Sequence, residues 1–113
     1  LEHVREVGPY FEEQLKVMSG HYMVGNVRGS HYMLCMELVK KRHTKELYDN
    51  SVKIGDRIAK HAQSRGVIIR PIGHLNVISP PLTLTKENID EMMLVLHASI
   101  NATEADLKKE GIL

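Results

Sequence analysis

A chain of 113 residues has room for one domain of ordinary size. Hydrophobic residues make up 42% and charged residues 26%, a globular rather than a disordered balance. Lys plus Arg number 15 against 14 Asp plus Glu, so no net field points to nucleic acid or an anionic membrane, and no apolar run approaches the roughly 20 residues of a membrane span.

In chain order, Val4, Val7, Phe11, Leu15 and Met18 recur at helical spacing and predict a helix over 2–18, interrupted at Gly8-Pro9 and ended by Gly20. The pattern is already running at Leu1, with no initiator Met and no cap, which reads as a piece of a longer protein. A short strand is expected over Val24–Gly29 and a longer one over Tyr32–Val39. Leu34, Met36 and Leu38 fall on one face of the longer strand and Met33, Cys35 and Val39 on the other, the pattern of a covered central strand. Glu37 within it calls for a basic partner or the sheet edge. Lys40-Lys-Arg-His-Thr-Lys45 reads as an exposed loop, a solvated charge cluster without the interleaved aromatics of a nucleic-acid surface.

Asn50 or Ser51 is expected to cap a second helix that buries Ile54, Ile58 and Ala62 and ends at Gly66. Val67–Ile69 then predict a buried strand closed by Arg70 and stopped by Pro71. A guanidinium there is either paired within the protein or free for an anionic ligand. A turn around Pro71-Ile72-Gly73 and a strand from Leu75 to Ser79 complete a hairpin, and Pro80-Pro81 forbids further pairing. Thr85 caps a last helix whose buried stripe is Ile89, Met92, Met93, Leu96 and Ile100. Asn88 stands where a capping box carries Glu or Gln, so the box is expected to be incomplete, and the polar tail from Glu104 is expected to fray. The glycosylation-like triplet Asn101-Ala-Thr103 falls on this helix. The order helix, two strands, helix, two strands, helix predicts an α+β domain: a small, mostly antiparallel sheet of three to four strands covered by helices.

The chemistry is sparse. His3, His21, His31, His43, His61, His74 and His97 have neither the H-E-x-x-H nor the Cys/His spacing of a zinc site, so no metal ligand is assigned. Cys35, mid-strand, reads as a small core residue; as the single cysteine it excludes an internal disulfide and fits a reducing compartment. No nucleophile elbow or phosphate-binding glycine loop occurs, and no catalytic residue is assigned.

Six segments in order carry a resemblance: Val4-Arg-Glu-Val-Gly-Pro-Tyr-Phe11, His21-Tyr-Met-Val-Gly-Asn-Val-Arg-Gly29, Glu37-Leu-Val39, Gly66-Val-Ile-Ile-Arg-Pro-Ile-Gly73, Ser79-Pro-Pro-Leu82 and Ile89-Asp-Glu91. Together they resemble the C-terminal small domain of class III pyridoxal-phosphate-dependent aminotransferases of the omega-amino-acid type. The resemblance implies the small domain of a fold-type I transferase spanning 1–113, from a homodimeric cytoplasmic enzyme acting on an amino donor and a 2-oxo acid. It implies that pyridoxal 5'-phosphate and its Schiff-base lysine belong to a separate large domain, so no cofactor-binding residue is assigned here. One residue carries over: Arg70 matches the family arginine that binds the substrate carboxylate and swings aside for substrates lacking one. Arg28-Gly29 matches a motif read as structural. The chain departs from the family pattern at Tyr22, Asn26 and His31. From the residues alone two other readings stay open: a free-standing module whose Arg70 grips an anionic effector, and a structural or dimerisation domain with Arg70 in an internal ion pair.

Overall fold

The computed structural model describes residues 2–30, 33–40, 46–78 and 85–112. Residues 41–45 of the expected loop 40–45, the Ser79-Pro80-Pro81 stop, His31 and His43 lie outside the described residues. Helix α1 (Glu2–Lys16) runs through Pro9 and continues as a 3-10 turn, Val17–Gly20. Strands β1 (Val24–Ser30) and β2 (Met33–Leu38) follow, then a 3-10 turn at Asn50–Val52 and helix α2 (Ile54–Ser64). Strands β3 (Arg70–Ile72) and β4 (Leu75–Ile78) precede the long helix α3 (Lys86–Lys109). The strands form one antiparallel sheet in the order β1-β2-β4-β3. The α+β expectation and the central place of β2 are met.

All three helices serve one side of that sheet. Val7, Phe11 and Leu15 from α1, Met18 from the turn that follows it, Ile54, Ile58 and Ala62 from α2, and Ile89, Met92, Met93, Leu96 and Ile100 from α3 join Leu34, Met36, Leu38 and Ile78 in one core. The other side of β2 is only half-buried at Cys35 and Glu37, so the strand is central without being covered on both faces.

Several expectations need correction. Val67–Ile69 is not a strand, although its β-branched composition suggests one. Gly66, at φ +91°, ends α2 in a Schellman motif: its N–H bonds to Gln63 O and the Val67 N–H to Ala62 O. Val67 is thus committed to finishing the helix, and Ile68 stands 85% exposed. The strand begins at Arg70 and passes through Pro71, which is tolerated because β3 is an edge strand. Arg70 is exposed, not buried at a strand end.

Neither Asn50 nor Ser51 caps α2. The Asp49 carboxylate accepts from the Ser51 N–H and winds the chain into the 3-10 turn, leaving Lys53 as N-cap at φ 51° with no side-chain cap. The capping box of α3, by contrast, is complete: the Asn88 N–H bonds to Thr85 Oγ1 at 3.1 Å and Asn88 Oδ1 accepts from the Thr85 N–H at 3.2 Å. An amide oxygen one carbon shorter than glutamine reaches well enough.

The tail from Glu104 does not fray. Leu107 is fully buried, Thr103 bonds back to Ser99 O, and Glu110 takes a two-pronged grip from Arg57 on α2. Asn101-Ala-Thr103 lies on α3 as expected, with Thr103 buried.

Candidate functional site

The sheet register decides which side chains share the uncovered face. Asn76 and Ile78 of β4 are buried beneath the helices, so Leu75 and Val77 point the other way. Arg28 pairs with Cys35, Cys35 with Val77, and Val77 with Arg70. These four residues therefore form one row across all four strands: a guanidinium at each end and an apolar floor of Cys35 and Val77 between. Three strand spacings separate the two arginine Cα atoms, about 14 Å. A depression of about 440 Å³ is lined by Arg28, Gly29, Leu34, Cys35 and Val77.

The two arginines are not equivalent. Arg28 Nη2 lies 2.8 Å from Glu37 Oε2, which supplies the basic partner expected for Glu37 and spends Arg28 on the sheet itself. Arg70 is exposed, and no carboxylate or hydrogen-bond acceptor among the described residues holds its guanidinium. Its backbone is nonetheless well placed. β3 and β4 are joined by the two-residue turn Gly73-His74, with Gly73 at φ +58°. His74 Nε2 donates to Tyr48 O at 2.7 Å, and the buried Asn76 side chain donates to Gly55 O at 3.0 Å. The hairpin that carries Arg70 is thus pinned to both the 46–49 segment and the start of α2. A planar guanidinium on a fixed backbone and a mobile stem can hold a carboxylate through two parallel hydrogen bonds.

The histidines form no cluster among the described residues. Among the described residues, no group of three or more His, Cys, Asp or Glu can hold a metal ion. His61 bonds to Asp106 and His21 to His97, each as a pair. Cys35 is half-buried on the open face rather than in the core. No described helix is long and apolar enough to cross a membrane. Lys16, Lys53, Lys60, Lys86, Lys108 and Lys109 are exposed and Lys40 half-exposed, so no described lysine stands in an enclosed site of the kind a Schiff base needs.

Comparison with known proteins supplies the family. Residues 1–100 match the model of "Aminotransferase class-III". The chain belongs to the class III aminotransferases. It is 36% identical over 110 residues to an uncharacterized aminotransferase of Sinorhizobium fredii, covering 95% of this chain and 24% of that protein. It is 35% identical over 107 residues to the adenosylmethionine-8-amino-7-oxononanoate aminotransferase of Methanocaldococcus jannaschii, covering 95% and 23%. Among solved structures, an omega-transferase from Vibrio fluvialis JS17 superposes with a TM-score of 0.92 at 33% identity, over 96% of this chain and 26% of that one. The chain spans about a quarter of the length of these class III relatives.

The row itself was not legible in the sequence. The pairing of Ser30 with Met33 sets Arg28 opposite Cys35, and the turn at Gly73-His74, rather than the one expected around Pro71-Ile72-Gly73, sets Arg70 opposite Val77. The seam between β2 and β4, which joins the two hairpins, has no local signal in the sequence.

Proposed function

We propose that this chain is the C-terminal small domain of an aminotransferase that moves an amino group from an amine or amino acid to a 2-oxo acid, and that Arg70 grips the substrate carboxylate. The observation that carries the reading is an exposed guanidinium, held by no acceptor among the described residues, on a pinned hairpin at the end of a row whose other arginine is already committed to Glu37. Membership of the family over residues 1–100 supports the reaction class. The residues described here do not fit a pyridoxal-phosphate site by themselves, because their lysines stand at the surface. The family's cofactor therefore belongs, in this reading, to the part of a parent enzyme beyond these 113 residues.

An internal ion pair for Arg70 is the weaker reading, since no acidic partner meets it among the described residues. A free-standing effector module is weaker too, given matches that run over nearly the whole chain and about a quarter of each relative.

The test is single-turnover kinetics of each half-reaction in the full-length enzyme, with a carboxylate-bearing donor against a plain amine. A charge-assisted hydrogen bond is worth about 1.5–3 kcal/mol, so Arg70→Ala should lose about 10- to 150-fold in efficiency toward the carboxylate-bearing donor. Arg70→Lys should recover part of that loss, and the plain amine should lose much less. Equal losses for both donors would remove Arg70 from substrate binding.

A further inference from the structure

His21 follows the 3-10 turn that ends the first helical segment, and its backbone is tied on both sides. Its N–H bonds to Met18 O at 3.0 Å, and its carbonyl accepts from the Val24 N–H at 3.1 Å. Its ring crosses to α3, where Nε2 lies 2.7 Å from Nδ1 of His97, with ring centroids 4.9 Å apart. The contact is half-buried and joins residues 76 apart in sequence.

Two imidazoles facing each other through one nitrogen each have three states. With both rings neutral, one donates its N–H and the other accepts. With one ring charged, the same hydrogen bond persists and is charge-assisted. With both charged, two N–H groups confront each other with no lone pair between them, and the contact must open.

We propose that the His21–His97 pair is an acid-sensitive latch, holding the corner between the 3-10 turn and β1 against α3 while either ring is neutral and releasing it when both are charged. The surroundings set the order of events. Glu104 on α3 favours charge on His21, and Glu104 is itself paired with Lys108 at 3.2 Å. The field of Glu104 also reaches the buried Tyr48, as does that of the exposed Tyr22. One positive charge is therefore accommodated and a second is not.

Burial first, and His97 second, hold His21 below the ordinary histidine value of 6.5, with Glu104 opposing. A histidine depressed in the folded state contributes stability that is full above its unfolded value, and that stability is lost as pH falls through the lower folded one. The latch thus weakens in mildly acidic solution.

Hydrogen–deuterium exchange on the full-length protein tests this, at about pH 7.5 and about pH 5 with labelling times scaled for intrinsic exchange. Wild type should lose protection several-fold at the lower pH in peptides spanning Val17–Val24. His21→Gln places an amide where Nε2 stands and cannot charge, so its protection should be the same at both values. His97→Asn does the same for Nδ1. Equal protection in wild type at both pH values, or equal acid loss in wild type and His21→Gln, overturns the latch. NMR of ring-labelled histidine in the wild-type protein reads the same question without a variant. Two well-separated, coupled midpoints support the latch, and two independent ordinary ones overturn it.

Discussion

Replacing Gly55 by alanine tests how the hairpin that carries Arg70 is held. Gly55 lies in the first turn of α2, where alanine normally favours a helix by about 1 kcal/mol over glycine. Here a Cβ would sit 2.7 Å from the carbonyl oxygen of Gly73, 3.2 Å from that of Leu75 and 3.6 Å from Asn76 Nδ2. The nearest two atoms are backbone, so the hairpin must move as a body. Overpacking of this kind costs about 1–3 kcal/mol. Moving the hairpin also stretches the buried bond from Asn76 to Gly55 O, worth about 0.5–1.5 kcal/mol. Set against the helical gain, the net loss should be about 1–3 kcal/mol. In equilibrium urea denaturation the midpoint should fall with an unchanged m value. Gly20→Ala, where a Cβ meets nothing within 4 Å, is the control and should stay within about 0.5 kcal/mol of wild type. If Gly55→Ala proves as stable as wild type, or more so, then the close approach of α2 to the hairpin does not constrain it and the argument fails.

Other perturbations bear on the same architecture. Thr85→Ala should lower stability by about 1 kcal/mol in thermal denaturation, because it removes the hydroxyl that accepts from the Asn88 N–H. Leu107→Ala, at a fully buried position near the end of α3, should cost about 2–5 kcal/mol in the same assay, whereas a fraying tail would make it nearly silent. Tyr48 is 2% exposed, and its hydroxyl meets no partner among the described residues; burial, then Glu104 and Tyr22, raise its pKa above the ordinary 10. A raised phenol contributes stability that is full below about pH 10 and lost as pH rises through the folded value. Tyr48→Phe should therefore leave neutral stability unchanged or slightly higher, and should move the alkaline unfolding limb upward when followed by circular dichroism.

Helix α3 was legible because two local signals agree: Thr85 at the start, and Ile89, Met92, Met93, Leu96 and Ile100 on one face. α1 was legible for the same reason, periodicity ended by glycine, and β1, β2 and β4 were legible as strands. What escaped depends on partners distant in sequence. Leu107 belongs to a segment too polar to stand out, and the grip of Arg57 on Glu110 crosses 53 residues. Val67–Ile69 misled because β-branching describes what a residue prefers, while the Val67 N–H had already been claimed by Ala62 O. Arg70 was expected at the end of a buried strand but stands exposed on β3. Its exposure follows from β3 being an edge strand, which is set by the long-range seam of β2 with β4.

Pro71 has a further effect, on what the sheet can join. In an antiparallel ladder closed by a two-residue turn, the closing pair Ile72 and Leu75 bonds inward, and so does the next but one, Arg70 with Val77. Pro71 is then the residue of β3 that faces outward, and it has no N–H to offer. A passing strand finds an acceptor along that side but no donor, so the sheet resists elongation there by another molecule. The seven residues of β1 at the opposite border have no proline, and strand addition, if these molecules aggregate, should begin on that side.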